Sequence, residues 1–328
     1  MARTTSSGSR SKRGTSRTLR ILALALAIDL VLVVAVLAWR PQWALGAYYG
    51  VQRMQAGAAV TRQPVGDTTV TQLVAGPPDA PVIVLLHGFT GTKENWLPLM
   101  AALSPRFRVI APDLPGWGES TRLDGADYGS VAQAERVSAW LSALPQPPAL
   151  VVGHSMGGHI AALLAAKHPD QVARLALVSA AGVPFKDNAF GRAVLDGGHP
   201  FAVDERASFK RFMALVFAHP PYVPWPIDRA MIDQRIANLG FEKSVLASLS
   251  GPERFAVEPL LGDIRAPTLL LWCDGDQVID PSAAATYAAG LAQSRTVLLP
   301  GCGHMPMLEA VDDTANALAE AAVMPLAG

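Results

Sequence analysis

Ser155 lies in the stretch "VVGHSMGGHIAALLAAKHP", residues 151–169, with Gly153 two residues before it and Gly157 two residues after. A serine hydroxyl is a weak nucleophile until a base removes its proton and a third group orients that base. The glycines bear on that chemistry. Gly153, Gly157 and Gly158 remove the side chains that would collide where a strand turns sharply into a helix. Such a turn lifts the serine above the sheet and aims a helix N-terminus at it. The competing role is that of a serine that merely caps the helix.

Seven histidines could supply the base. His304, in "PGCGHMP" (residues 300–306), hangs in a glycine- and proline-flanked loop after the last strand-like run, from which it can reach across to Ser155. The others read differently. His154 adjoins the serine and is expected to point into the sheet; His159 and His168 belong to the following helix; His199 and His219 fall in a helical insertion; His87 reads as a structural residue that holds its own loop. For the orienting acid, "TLLLWCDGD" (residues 268–276) delivers Asp274 and Asp276 at a strand end. Asp276 is the choice, because the turn at Gly275 frees it to face the final strand. Asp274 is the fallback, Asp280 suits the cap of the next helix, and Asp113 in "APDLPGWGES" (residues 111–120) reads as a turn-stabilising residue. Acyl transfer also needs donors for a developing oxyanion. The backbone N–H groups of Met156, directly after the serine, and Phe89, in "LLHGFTGTKENW" (residues 85–96), meet that need.

Elements must exist to bring these residues together. Continuous apolar runs at residues 81–88, 108–113, 149–155, 174–182, 268–276 and 296–304 read as strands covered on both faces, hence as a parallel sheet. Amphipathic segments at 131–144, 156–168 and 280–292 fall between them, the alternation of a doubly wound α/β fold. Between residues 183 and 263 the strands stop and a proline-punctuated helical insertion takes their place, expected over the carboxyl edge of the sheet where such folds bind ligands.

In order along the chain, "LLHGF", "DLPGWGES", "GHSMGG", "LLLW" leading into "DGDQV", and "GCGHMP" resemble the motifs of α/β-hydrolase-fold serine hydrolases. Within that superfamily the chain is most similar to membrane-anchored monoacylglycerol lipases and related bacterial lipases and esterases. The resemblance spans residue 68 to the C-terminus. It implies Ser155 as nucleophile, Asp276 and His304 as its partners, and Phe89 and Met156 as oxyanion donors, with no metal or organic cofactor. Cys273 departs from the pattern, which has glycine after the tryptophan.

The rest of the chain bears on location and partners. Six basic residues crowd the first twenty, a stretch expected to be disordered, and "ILALALAIDLVLVVAVLAW" (residues 21–39) follows with Asp29 as its only charge. At ~1.5 Å per residue this run can cross a hydrocarbon core as a helix. Trp39, Trp43, Tyr48 and Tyr49 suit a membrane interface. An uncleaved anchor is the expectation, with the basic end cytoplasmic and the catalytic domain on the outer side. The competing readings are a cleaved signal peptide with Val36-Leu37-Ala38 as its processing site, and a buried soluble helix. The expected organisation is therefore a tail (1–20), an anchor (21–39), a linker (40–67), a hydrolase core (68–182 and 264–328) and a cap (183–263). With 27 basic and 27 acidic residues the net charge is zero, which argues against nucleic acid as a partner. Two cysteines, Cys273 and Cys302, exclude a disulfide-stapled scaffold. Both should lie near strand ends; two separate buried thiols are the expectation.

The expected reaction is ester hydrolysis through an acyl-enzyme, on a monoacylglycerol-like or other acyl ester. The apolar run "FMALVFAHPPYVPW" (residues 212–225) offers Phe212, Phe217 and Trp225 as acyl-chain contacts, against the plainer reading that they pack the insertion onto the core. A carbon–carbon bond hydrolase of the same fold would use the same triad. Dehalogenases and epoxide hydrolases of this fold carry aspartate where Ser155 stands. A membrane-tethered binding protein without activity is the remaining alternative.

Overall fold

The computed structural model describes residues 11–325 of the 328, with side chains from residue 19 onward. In chain order the elements are α1 (Ser11–Trp39), α2 (Pro41–Gln55), β1 (Ala59–Val65), β2 (Thr68–Ala75), β3 (Val82–Leu86), α3 (Leu97–Leu103), β4 (Arg108–Pro112), α4 (Ser130–Ser142), β5 (Leu150–His154) and α5 (Met156–Lys167). They continue with β6 (Leu175–Val178), α6 (Ala189–Leu195), α7 (Arg206–Val216), α8 (Ile227–Ser250), β7 (Thr268–Cys273), α9 (Ser282–Gly290), β8 (Ser294–Leu299), α10 (Pro306–Glu309) and α11 (Val311–Ala321).

The chain separates into two contact units, residues 1–48 with 223–231, and residues 49–222 with 232–328. In the first, α1 carries one span long and apolar enough to cross a membrane, Leu19–Trp39, with a mean hydropathy of 3.0. None of that span is buried. The helix begins at Ser11, so the tail expected to be disordered is helical from residue 11; its residues 1–10 lie outside the described residues.

The second unit holds one eight-stranded sheet in the order β1-β2-β4-β3-β5-β6-β7-β8. From β4 to β8 every pairing is parallel, and β1 and β2 add an antiparallel hairpin at one edge. All six apolar runs are strands, and β3, β5, β6 and β7 are buried at every residue, as continuous hydrophobicity demands of strands covered on both faces. The interval read as a linker, 40–67, instead holds α2 and β1. β1 escaped the pattern because "AVTRQPV" is exposed at most positions and carries no apolar face, as an outermost strand can afford. Between β6 and β7 the chain is helical, with α6, α7, α8 and a 3₁₀ turn, Glu258–Asp263.

A second departure lies at the carboxyl ends of β7 and β8. Cys273 and Cys302 form a disulfide rather than two separate thiols, with Cα atoms 5.2 Å apart. The parallel β7–β8 register pairs Cys273 with Leu299, and the loop after β8 folds back so that Cys302 meets it. That return is a tertiary event which residue spacing does not announce.

Candidate active site

Ser155 occupies the single residue between β5 and α5, with φ 54° and ψ −117°. A positive φ on a serine is a strained conformation of the kind the surrounding structure must impose. Its side chain makes no capping hydrogen bond to α5, so the helix-cap role does not apply. The glycines explain how the turn is tolerated. A Cβ at Gly153 would fall on the backbone of Gly157, and one at Gly157 would fall on the carbonyls of Leu86 and His87. Three backbone N–H groups, from Gly158, His159 and Ala181, converge on the Ser155 carbonyl at 2.9, 3.1 and 3.1 Å and lock the turn.

His304 and Asp276 are brought together. The Nδ1 of His304 lies 2.9 Å from Oδ2 and 3.1 Å from Oδ1 of Asp276, with both residues buried. Asp276 is itself held, since its Oδ1 accepts the N–H groups of Val278 (2.9 Å) and Ile279 (3.0 Å). Two acceptor contacts to backbone donors keep a buried carboxylate satisfied and aimed. The other acids are used elsewhere. Asp274 Oδ1 accepts Gly301 N–H at 2.8 Å, and Asp280 accepts Ser282 N–H at 3.0 Å at the start of α9. The histidine loop is fastened by its own bonds: His304 N–H to Val216 O (2.9 Å) and Gly303 N–H to Glu309 Oε2 (2.8 Å).

His154 ties the loop to the serine. Its Nε2–H donates to the carbonyl of His304 at 2.7 Å, and the two rings lie 4.7 Å apart. Burial, then the neighbouring His304, holds its pKa well below the usual histidine range, so the ring is a neutral donor. The sequence alone had aimed His154 into the sheet without finding this link.

Gly88 passes directly against the elbow: a Cβ there would lie 3.0 Å from the Ser155 Cβ. The Phe89 N–H that follows makes no hydrogen bond among the described residues. Met156, as the first residue of α5, has no intrahelical acceptor for its N–H. His87 supports this loop, accepting Leu114 N–H at Nε2 (2.9 Å) and donating from Nδ1 to Gly88 O (2.8 Å). Asp113 does more than stabilise a turn. It accepts Lys93 N–H and Nζ, both at 2.8 Å, and Glu119 N–H at 2.9 Å, in a fully buried ion pair beneath the loop. Burial works against the Lys93 ammonium, but Asp113, Glu94 and Glu119 outweigh it and raise its pKa. Glu94 in turn is paired with Arg53.

A cleft opens at Ser155 and Met156. Its wall is largely apolar, with Phe89, Phe185, Phe190, Phe201 and Phe255 prominent. Phe212, Phe217 and Trp225 do not line it. Phe212 packs on Phe201 (6.0 Å between rings) under the Arg235 guanidinium; Phe217 is buried behind the histidine loop, where a Cβ at Gly303 would touch its carbonyl carbon; Trp225 is 47% exposed. An apolar run alone does not reveal which of its side chains face a cleft and which pack inward. Phe185 was within reach of sequence reasoning, because "SAAGVPF" follows β6 at the sheet's carboxyl edge.

Comparison with known proteins agrees with this geometry. Residues 81–311 match the family model described as alpha/beta hydrolase fold. Lipase 1 of Psychrobacter immobilis is 32% identical over 249 residues, 74% of this chain and 76% of the relative. Monoacylglycerol lipase ABHD6 of Bos taurus is 30% identical over 309 residues, 90% of this chain and 91% of the relative. A solved membrane phospholipase A, described as a bacterial virulence factor, superposes with a TM-score of 0.83 at 34% identity, covering 92% of this chain and 97% of its own. With a matched family model over most of the chain, a serine elbow between β5 and α5 and a His–Asp pair beside it, this protein belongs to the alpha/beta hydrolase fold family.

Proposed function

We propose that this carboxylic ester hydrolase, a lipase or esterase, works through an acyl-enzyme on Ser155. The Ser155 hydroxyl attacks the ester carbonyl while His304 Nε2 accepts its proton. Asp276 holds the Nδ1–H tautomer and stabilises the imidazolium. The N–H groups of Met156 and Phe89 receive the oxyanion, each such donor contributing about 10²–10³ in rate. His304 then protonates the departing alcohol, and next takes a proton from the water that attacks the acyl-enzyme. The observation that carries this reading is the buried His304–Asp276 pair, whose loop is hydrogen-bonded to His154, the residue preceding the serine. Residues 68–182 and 264–328 form the catalytic core and residues 183–263 the cap over it.

The substrate is a lipid ester of the monoacylglycerol kind. The apolar cleft supports this, as do the named relatives: a lipase, a monoacylglycerol lipase and a membrane phospholipase A. The protein is anchored through Leu19–Trp39, with its basic N-terminus cytoplasmic and the catalytic unit outside. The buried disulfide supports that orientation, because such bonds persist in oxidising compartments.

The deciding experiment measures hydrolysis of p-nitrophenyl esters and monoacylglycerols of increasing chain length by the detergent-solubilised protein beside Ser155→Ala. Turnover that rises toward medium and long chains and disappears in Ser155→Ala is the expected result. Activity confined to acetyl and butyryl esters removes the lipid substrate, and turnover that survives in Ser155→Ala removes the nucleophile. Protease accessibility in spheroplasts tests the orientation; a catalytic unit protected until the membrane is lysed refutes it.

A further inference from the structure

His159 is not used by the mechanism above, yet it shares the cleft with the nucleophile. It stands four residues beyond Ser155 on α5, roughly 6 Å along the helix, and its N–H donates to the Ser155 carbonyl at 3.1 Å. Its side chain is 1% exposed and lines the cleft together with Ser155, Gly182 and Val183. Its Nε2 has no hydrogen-bond partner among the described residues. Buried polar atoms are paired in the great majority of cases, so an orphan on the wall of a binding cleft calls for a ligand group. Gly182 lets the chain pass close to the ring: a Cβ there would come within 2.7 Å of His159 Cδ2 and 3.1 Å of the Tyr287 hydroxyl oxygen. The Tyr287 hydroxyl donates to Ala181 O at 2.5 Å and makes no hydrogen bond to the His159 Nε2.

The chemistry of the missing partner follows from that of the ring. Burial lowers the His159 pKa to about 4, so at neutral pH the imidazole is uncharged and offers one donor and one acceptor. A hydroxyl, itself a donor and an acceptor, matches it. The other polar side chains on the cleft wall are otherwise disposed. Ser250 donates to Leu246 O at 2.8 Å, and the Arg254 guanidinium lies on the Phe255 ring at 4.6 Å.

We propose that His159 forms a hydrogen-bonding subsite for a neutral hydroxyl of the ester substrate, carried by the alcohol portion or by the acyl chain within about one helical turn of the attacked carbonyl. The subsite makes this a hydrolase that selects hydroxyl-bearing esters over plain alkyl esters of the same length. This rests on the reading of Ser155 as the nucleophile of an ester hydrolase.

The test uses the full chain in detergent with three substrates of equal acyl length: methyl octanoate, 1-monooctanoylglycerol and methyl 3-hydroxyoctanoate. Each is measured with wild type, His159→Leu and His159→Gln. The expected result is that His159→Leu lowers kcat/KM for a hydroxyl-bearing ester, relative to methyl octanoate, by about tenfold, the value of one hydrogen bond to a buried neutral group. His159→Gln, which keeps a neutral donor and acceptor, retains the ratio. Loss confined to the glycerol ester assigns the hydroxyl to the alcohol portion, and loss confined to the hydroxyacyl ester assigns it to the acyl chain. Ratios unmoved in His159→Leu, or lost equally in His159→Gln, overturn the proposal. Hydrolysis of all three esters by Ser155→Ala would instead overturn the reading on which it rests.

Discussion

Removing the Cys273–Cys302 bridge gives the sharpest test of how the catalytic edge is held. The bridge closes a loop of 29 residues. In the chain-entropy model, closing that loop withholds about 3.6 kcal/mol from the unfolded state, which the Cys273→Ala/Cys302→Ala double variant would forfeit. At about 2 °C per kcal/mol for a domain of this size, the melting temperature should fall by about 7 °C. The functional consequence follows from position. Cys273 lies three residues before Asp276, whose N–H donates to Cys273 O at 3.3 Å, and Cys302 lies two residues before His304. The bridge therefore ties the strand end that carries Asp276 to the loop that carries His304, and neither cysteine lines the cleft. Its loss should lower kcat by several-fold and leave KM nearly unchanged. The assay is a thermal melt and a Michaelis–Menten series on both proteins in detergent, with thiol alkylation of the denatured, unreduced wild type. Two free thiols in the wild type, or a double variant with an unchanged melting temperature and kcat, would refute the reasoning.

Three further outcomes are expected. Asp113→Asn leaves the Lys93 ammonium buried beside the catalytic loop without its main counter-charge, and should destabilise the protein by about 3–5 kcal/mol in urea titration; a loss under ~1 kcal/mol would show that Glu94 and Glu119 suffice. His159, with a folded pKa of about 4 against 6.5 unfolded, favours folding fully above pH 6.5; as pH falls from 6.5 toward 4 the unfolded chain takes up a proton that the folded ring resists. That difference corresponds to about 3 kcal/mol, with His87 and His154 acting in the same direction, so a denaturation midpoint no more acid-sensitive in wild type than in His159→Gln would count against it. Gly157→Ala places a Cβ on the Leu86 and His87 carbonyls and must displace the elbow, so ester turnover should drop by about 10² or more; near-normal turnover would mean that the turn is more pliant than its packing implies.

The continuous apolar runs, the strand–helix alternation and the glycine-flanked serine were legible in the sequence because each is a local pattern: period, punctuation and steric clearance act over a few residues. The placement of Ser155, Asp276 and His304 at the carboxyl ends of strand-like runs was legible for the same reason, and the structure pairs Asp276 with His304. What the tertiary structure decided was which distant groups meet. The disulfide, the His154–His304 link, the buried Lys93–Asp113 pair and the orphaned imidazole of His159 depend on loops returning across the sheet, and no local period encodes those returns. The cleft wall shows the same division. Phe212 and Phe217 carry the same apolar signal as Phe185, Phe190 and Phe201, and only the packing of the insertion on the sheet determined which rings face Ser155. Hydrophobicity requires that a side chain leave water; it does not fix the surface against which it is buried.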